Sequence, residues 1–202
     1  MNPTIRAQFP LLNEVTYLNS AAVCVMPLVS REAGLRWRER AYGARPDALD
    51  EWLAQMDETR RIVAAFIGVR PSEIAFTGNT GDGESFVANG LAFKAGENIV
   101  IDDLEFPTGH VTWRETARRC GLEVREAQSV NGAATPEMFA PLVDERTRLL
   151  AVAHVSHHNG YRHDLKALAA LAHAHGAFLF ADATQAVGSF RMNARDLDVD
   201  FL

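Results

Sequence analysis

The stretch Gly78-Asn79-Thr80-Gly81-Asp82-Gly83-Glu84-Ser85 follows an apolar run, Ile74-Ala75-Phe76. Backbone N–H groups at the start of a helix bind anions, and the helix dipole favours negative charge there. Gly78, Gly81 and Gly83 let a ligand come close to the backbone. The stretch fits the nucleoside-triphosphate loop G-x-x-x-x-G-K-[ST] at every fixed position but one, because Glu84 stands where a lysine must reach the β- and γ-phosphates. A glutamate repels those phosphates, and no second carboxylate-bearing strand completes a metal-nucleotide site. A nucleotide-binding protein using Gly78–Ser85 is one reading, and a plain glycine-rich turn is another. A single phosphate needs less positive charge and fits the stretch better.

Asp182 closes the apolar run Phe178-Leu179-Phe180-Ala181. A carboxylate there is costly unless it meets a cation or a donor. It can salt-bridge a ring nitrogen and keep it protonated, as a pyridine electron sink requires. Thr184 and Gln185 add polar groups at the same edge. Phe106 follows Asp102, Asp103 and Glu105 at the end of another apolar run. Its ring can stack on a flat ligand or fill a core. The acidic cluster can hold metal or trade protons, but solvated loop carboxylates are the plainer reading of Asp102 and Asp103. Six of the seven histidines lie between His154 and His175, which raises a zinc hypothesis. The spacing opposes it. His157 and His158 are adjacent, so their side chains diverge, His173 and His175 are not on one helical face, and no H-E-x-x-H occurs. No metal site is expected.

These residues need a scaffold that brings strand ends together, and the chain supplies one. Val29 to about Arg40 reads as a helix interrupted by Gly34. A stronger helix follows, capped by Asp47 and ended by Gly68. Strand and helix then alternate. "EIAFT", "NIVIDD", "LEVREA", "RLLAVAHV" and "AFLFAD" read as strands. Gly83–Ala92, Thr108–Cys120, a short helix from Thr135 to Leu142 with Pro136 at its first position, and a helix from Asp164 to Gly176 read as helices. Short apolar strands alternating with helices imply an α/β fold of three layers, a mostly parallel sheet with helices on both faces. Ligands in such sheets sit beyond the carboxyl ends of the strands.

The 202 residues are 48% hydrophobic and 23% charged, with net charge -6, which suits a globular core and argues against a nucleic-acid binder. No apolar run approaches the ~20 residues that span a bilayer, so no membrane partner is expected. "MNPTIRAQFPLLNE" has no signal-peptide core, and a cytoplasmic protein is the simplest expectation. Cys24 and Cys120 are expected to be free, reduced and buried.

Taken in order, the strand ends resemble those of the class V aminotransferase group of pyridoxal-phosphate enzymes, which includes the cysteine desulfurases, the kynureninases and the isopenicillin N epimerase-like proteins. "YLNSAA" is similar to the group's "YLDNAA", and "FTGNTGDGES" to its "FT-x-x-T-T/S-E" phosphate turn. "LEFPTGHVTW" resembles the strand end that carries the ring-stacking residue. "HVSHHNG" resembles "HVSN-x-x-G", and "HGAFLFADATQAVG" resembles "HGA-x-x-x-VDGAQAVG", the most specific of the set. The resemblance implies a fold type I large domain over residues 46–202, incomplete at its C-terminal end, after an N-terminal segment of residues 1–45. It implies pyridoxal 5'-phosphate as cofactor. Thr80, Gly81 and Asp82 would hold the phosphate, Phe106 would stack on the ring, Asp182 would pair with the ring nitrogen, and Gln185 and His157 would approach the phenolic oxygen.

Two departures bear on activity. Gly81 replaces a usual threonine or serine. Phe106 stands where desulfurases carry a proton-transferring histidine, which turns the expectation from desulfurase toward an aminotransferase, an epimerase or another C–S or C–N lyase. The substrate would be an amino acid or amine, and the intact enzyme a homodimer. The resemblance covers the first half of such an enzyme. Its Schiff-base lysine is expected beyond Leu202, since Lys94 and Lys166 are not placed to replace it, and the 202 residues alone are expected to be inactive. A non-catalytic interaction domain that has kept the fold is the alternative.

Overall fold

A computed structural model describes residues 2–43 and 48–202. The chain divides into two compact units, with the boundary between Thr59 and Arg60. The first unit holds α1 (Pro3–Arg6), a 3-10 turn at Pro10–Asn13, α2 (Leu28–Tyr42) and the start of α3 (Ala48–Ile67), which runs on into the second unit. Gly34 does not interrupt α2, because a helix tolerates a glycine at a modest cost. Trp37 and Trp52 pack with their ring centroids 5.2 Å apart. The cap expected at Asp47 lies outside the described residues.

The second unit is built on four strands, β1 (Asn98–Asp102), β2 (Glu123–Ala127), β3 (Thr147–Ala153) and β4 (Phe178–Asp182). They are all parallel, in the order β2-β1-β3-β4. Between and around them run α4 (Thr80–Gly90), α5 (Pro107–Cys120), α6 (Pro136–Phe139), α7 (Leu165–Ala174) and α8 (Ala194–Leu197). Alternation along each strand sorts the side chains onto two faces. Val100, Leu150, Val152, Leu179 and Ala181 meet Leu165, Leu168, Ala169 and Ala172 of α7 and Phe139 of α6. Ile99, Ile101, Leu149, Ala151 and Phe180 meet Ala88 of α4 and Trp113 of α5. The result is the expected three-layer α/β arrangement. Each fully buried Leu or Ile contributes about 1.5–3 kcal/mol of transfer free energy.

Local signals set the helix ends. Asp164 accepts from the Ala167 N–H at 3.1 Å and starts α7. Gly121, at φ 70°, ends α5 in the left-handed region that favours glycine. Three further expectations differ from the structure. Ile74–Thr77 are not a strand, because a strand needs a neighbour's backbone groups and no ladder reaches them among the described residues. Helix α4 begins at Thr80 rather than Gly83, because the Asn79 side chain accepts from the Asp82 N–H at 3.0 Å and caps it there. Cys24 is free but exposed, while Cys120 is free and half-buried.

Candidate functional site

The parallel topology brings the carboxyl ends of β1, β3 and β4 to one edge. Asp182, the last residue of β4, is 8% exposed. One of its oxygens accepts from the Thr184 N–H at 2.8 Å, and among the described residues no cation forms an ion pair with it. The Thr184 and Thr80 hydroxyls lie 3.2 Å apart, so the turn after β4 meets the first residue of α4. A groove of about 520 Å³ passes Thr77, Thr80, Asp182 and Thr184. Gly81 sits where a Cβ would come within 3.1 Å of the Thr108 methyl and 3.2 Å of the Asn79 amide oxygen, which gives a physical reason for the missing side chain. The Asp82 carboxylate folds back over Gly78, and its N–H is already taken by Asn79.

Phe106 caps the start of α5 immediately beyond β1 and is 39% exposed. The His157 ring meets it edge-on, with centroids 4.8 Å apart and planes at 74°. His157 itself lies on an exposed turn after β3. Gln185 is half-buried just beyond Thr184, and its carbonyl accepts from the Ser189 hydroxyl at 3.2 Å. The structure therefore joins Thr80, Thr184 and Asp182 in one place and Phe106 with His157 in another along the same edge. Among the described residues no three His, Cys, Asp or Glu side chains come together in a way that could hold a metal ion.

The burial of several polar groups escapes sequence reasoning. Asp102 is not a solvated loop acid, because it is wholly buried with His163 Nε2 at 2.6 Å. The His163 ring lies edge-on to Phe139 and Tyr161. Glu84 is buried and accepts from the Thr112 hydroxyl at 2.9 Å, and burial raises its pKa. It faces α5, so it is not a defective nucleotide-loop lysine, and the nucleotide reading loses its main support. Glu105 is 3% exposed and accepts from the Phe106 N–H at 2.7 Å. Burial outweighs that bond, and with Asp102, Asp182 and Glu84 nearby its pKa is pushed up to about 8. One sequence signal points to it, a glycine one helical turn later. A Cβ at Gly109 would come 2.9 Å from the Glu105 carboxyl carbon. His154 is buried edge-on to Phe190, and burial, aided by Arg162 and His163, lowers its pKa to about 4.

This arrangement suits a flat ring with one phosphate and one basic nitrogen. A helix start offers N–H groups and the Thr80 hydroxyl to an anion. A buried carboxylate with no cation of its own among the described residues offers itself to a positive nitrogen. An aromatic face stands beyond the end of β1, on the same edge of the sheet.

The class-V aminotransferase family profile matches residues 17–202. The probable cysteine desulfurase of Methanothermobacter thermautotrophicus is 32% identical over 202 residues, covering 98% of this chain and 50% of that protein. A cysteine desulfurase of Escherichia coli is 33% identical over 212 residues, covering 98% of this chain and 52% of that protein. The chain thus spans about half the length of the curated relatives it matches. Among solved structures, a C-DES mutant with glycine covalently linked to its PLP cofactor superposes with a TM-score of 0.88 at 26% identity, covering 96% of this chain and 53% of that one. The apo cysteine desulfurase of Thermococcus onnurineus gives a TM-score of 0.85 at 28% identity, covering 99% of this chain and 52% of that one. With its parallel sheet, its strand-end residues and these likenesses in agreement, the chain belongs to the class-V aminotransferase family of pyridoxal-phosphate enzymes.

Proposed function

We propose that this chain forms the cofactor-binding large domain of an enzyme that acts on an amino acid or amine. The single observation that carries the proposal is Asp182, a carboxylate buried at the end of β4 with an N–H donor but, among the described residues, no cation. Asp182 holds a proton on the ring nitrogen of pyridoxal 5'-phosphate. Phe106 covers one face of the ring and keeps water from it. Thr80 and Gly81 receive the phosphate at the start of α4, with the Thr80 hydroxyl oriented by Thr184, and Asp82, whose N–H Asn79 already holds, flanks it. Gln185 and His157 approach the phenolic oxygen. When bound, the cofactor supplies an electron sink for charge developing at the substrate α-carbon.

The relatives named cysteine desulfurase favour carbon–sulfur cleavage of a sulfur-containing amino acid as the reaction. Phe106 favours an aminotransferase, an epimerase or a lyase that does without an imidazole on that face. Sulfide release from cysteine, set against α-hydrogen exchange over a panel of other amino acids, separates the two. The intact protein is proposed to be a homodimer, checked by light scattering. The central test is titration of the intact protein and its Asp182→Ala variant with pyridoxal 5'-phosphate, followed by absorbance and calorimetry. Tight binding that the variant loses by about a hundredfold is expected, as for removal of one member of a buried ion pair. A wild-type protein that ignores the cofactor sinks the reading and leaves the non-catalytic interaction domain.

A further inference from the structure

Four carboxylates lie buried along the site edge, Glu84, Asp102, Glu105 and Asp182, exposed by 1%, 0%, 3% and 8%. Like charges gathered out of water cannot all stay ionised without partners. Asp102 has His163 at 2.6 Å. Glu84 has the Thr112 hydroxyl at 2.9 Å. Asp182 has the Thr184 N–H and lines the groove, where a cation can reach it. Among the described residues Glu105 has only the N–H of the next residue, Phe106, on one oxygen. Its other oxygen is buried and makes no hydrogen bond among the described residues. Gly109 closes over the carboxyl group, so the side chain is held in place.

We propose that Glu105 is a positioning residue that carries a proton while Asp182 faces no cation, and that it releases this proton when a pyridinium nitrogen seats against Asp182. The Glu105 O–H bond breaks, the electron pair stays on the carboxylate, and the proton passes to bulk water. One positive charge enters the cluster and one leaves, so the net charge of the buried edge is preserved. The ionised oxygen then accepts more strongly from the Phe106 N–H and fixes the ring that lies at the start of α5. The raised pKa of Glu105, about 8, agrees with a protonated group at neutral pH. The titratable groups that act on it are Asp102 of β1, Asp182 of β4 and Glu84 of α4. Because binding releases a proton, affinity for the cofactor rises as pH climbs toward about 8. The linkage rests on the reading of Asp182 as the partner of the ring nitrogen.

Two measurements on the intact protein test it. Infrared pH titration, with no cofactor added, reads the proton itself. The carbonyl stretch of a protonated carboxylic acid is expected to vanish as pH rises through about 8, and to be missing in Glu105→Gln. Gln has the shape of the neutral acid, and Glu105→Met, which likewise lacks a carboxyl group, provides a second variant should Gln disturb folding. A band that is absent, or that survives in both variants, overturns the assignment. Calorimetry of pyridoxal 5'-phosphate binding in two buffers of unequal ionisation enthalpy reads the linkage. Wild type is expected to release roughly one proton more than Glu105→Gln. Equal release overturns the linkage. Absence of any binding sinks the cofactor reading and the linkage together, while the infrared result still decides whether Glu105 carries the proton.

Discussion

Two strands of one sheet, β1 and β4 with β3 between them, end in aspartate, and the two carboxylates have opposite surroundings. Asp102 ends β1 and meets His163, a buried imidazole supplied from 61 residues away. Asp182 ends β4 and meets a backbone N–H from two residues away, with a groove before it. Both are buried acids after apolar runs. One is completed by the fold, and the other has, among the described residues, no internal counter-charge, which the proposed cofactor would supply. Burial alone therefore does not mark a functional carboxylate. What marks it is burial together with the lack of an internal counter-charge.

The largest effect that can break this contrast is on binding. Asp182→Ala should weaken pyridoxal 5'-phosphate binding by about 3 kcal/mol, while the melting temperature holds or rises, because a costly buried charge has gone. A matching loss of stability would make Asp182 a structural residue like Asp102. Next in size is the pH dependence of stability. In the folded chain Glu105 titrates near 8, against about 4.3 when unfolded. Between those values the folded state holds the extra proton, so this contribution is full in acid and is lost as pH rises through about 8. Urea melts should show wild type losing on the order of a few kcal/mol across that window relative to Glu105→Gln. Parallel pH profiles for the two proteins would refute it.

Asp102→Ala sharpens the contrast from the other side. It leaves His163 buried without its partner, and should cost about 1–3 kcal/mol of stability by chemical denaturation. Its effect on cofactor affinity should stay under about tenfold, or 1.4 kcal/mol. The smallest effect is at Thr184→Val, which removes the hydroxyl contact to Thr80 but keeps the N–H that serves Asp182. Affinity should fall by about 1 kcal/mol, measured by the same titration.

The same contrast explains which parts of the molecule are legible in its sequence. Asp182 stands out because its strand is short and wholly apolar, so local sequence alone announces a buried acid. The strands around it and the Asp164 cap of α7 are legible for the same local reason. Asp102 reads wrongly as a solvated acid because its burial depends on His163, a partner fixed only by the tertiary fold. Glu105 is hidden likewise, since the space over it is set by Gly109 and the approach of α5. Ile74–Thr77 have the composition of a strand, but no neighbour's ladder pairs with them among the described residues. The order of the motifs suggests which residues hold the phosphate, stack on the ring and approach its phenolic oxygen. The pairing of Phe106 with His157, and of Thr80 with Thr184, has no counterpart in that order.

The Thr80–Thr184 contact also bears on the order in which the molecule is made. The two hydroxyls are separated by 104 residues of chain. On a ribosome, the N-terminal end of α4 emerges long before β4, and closing so long a loop costs entropy that only the finished sheet repays. The site is thus a late product of folding. A ligand that needs both ends of it cannot guide the earlier steps, and it acts instead as a clamp on a sheet already assembled.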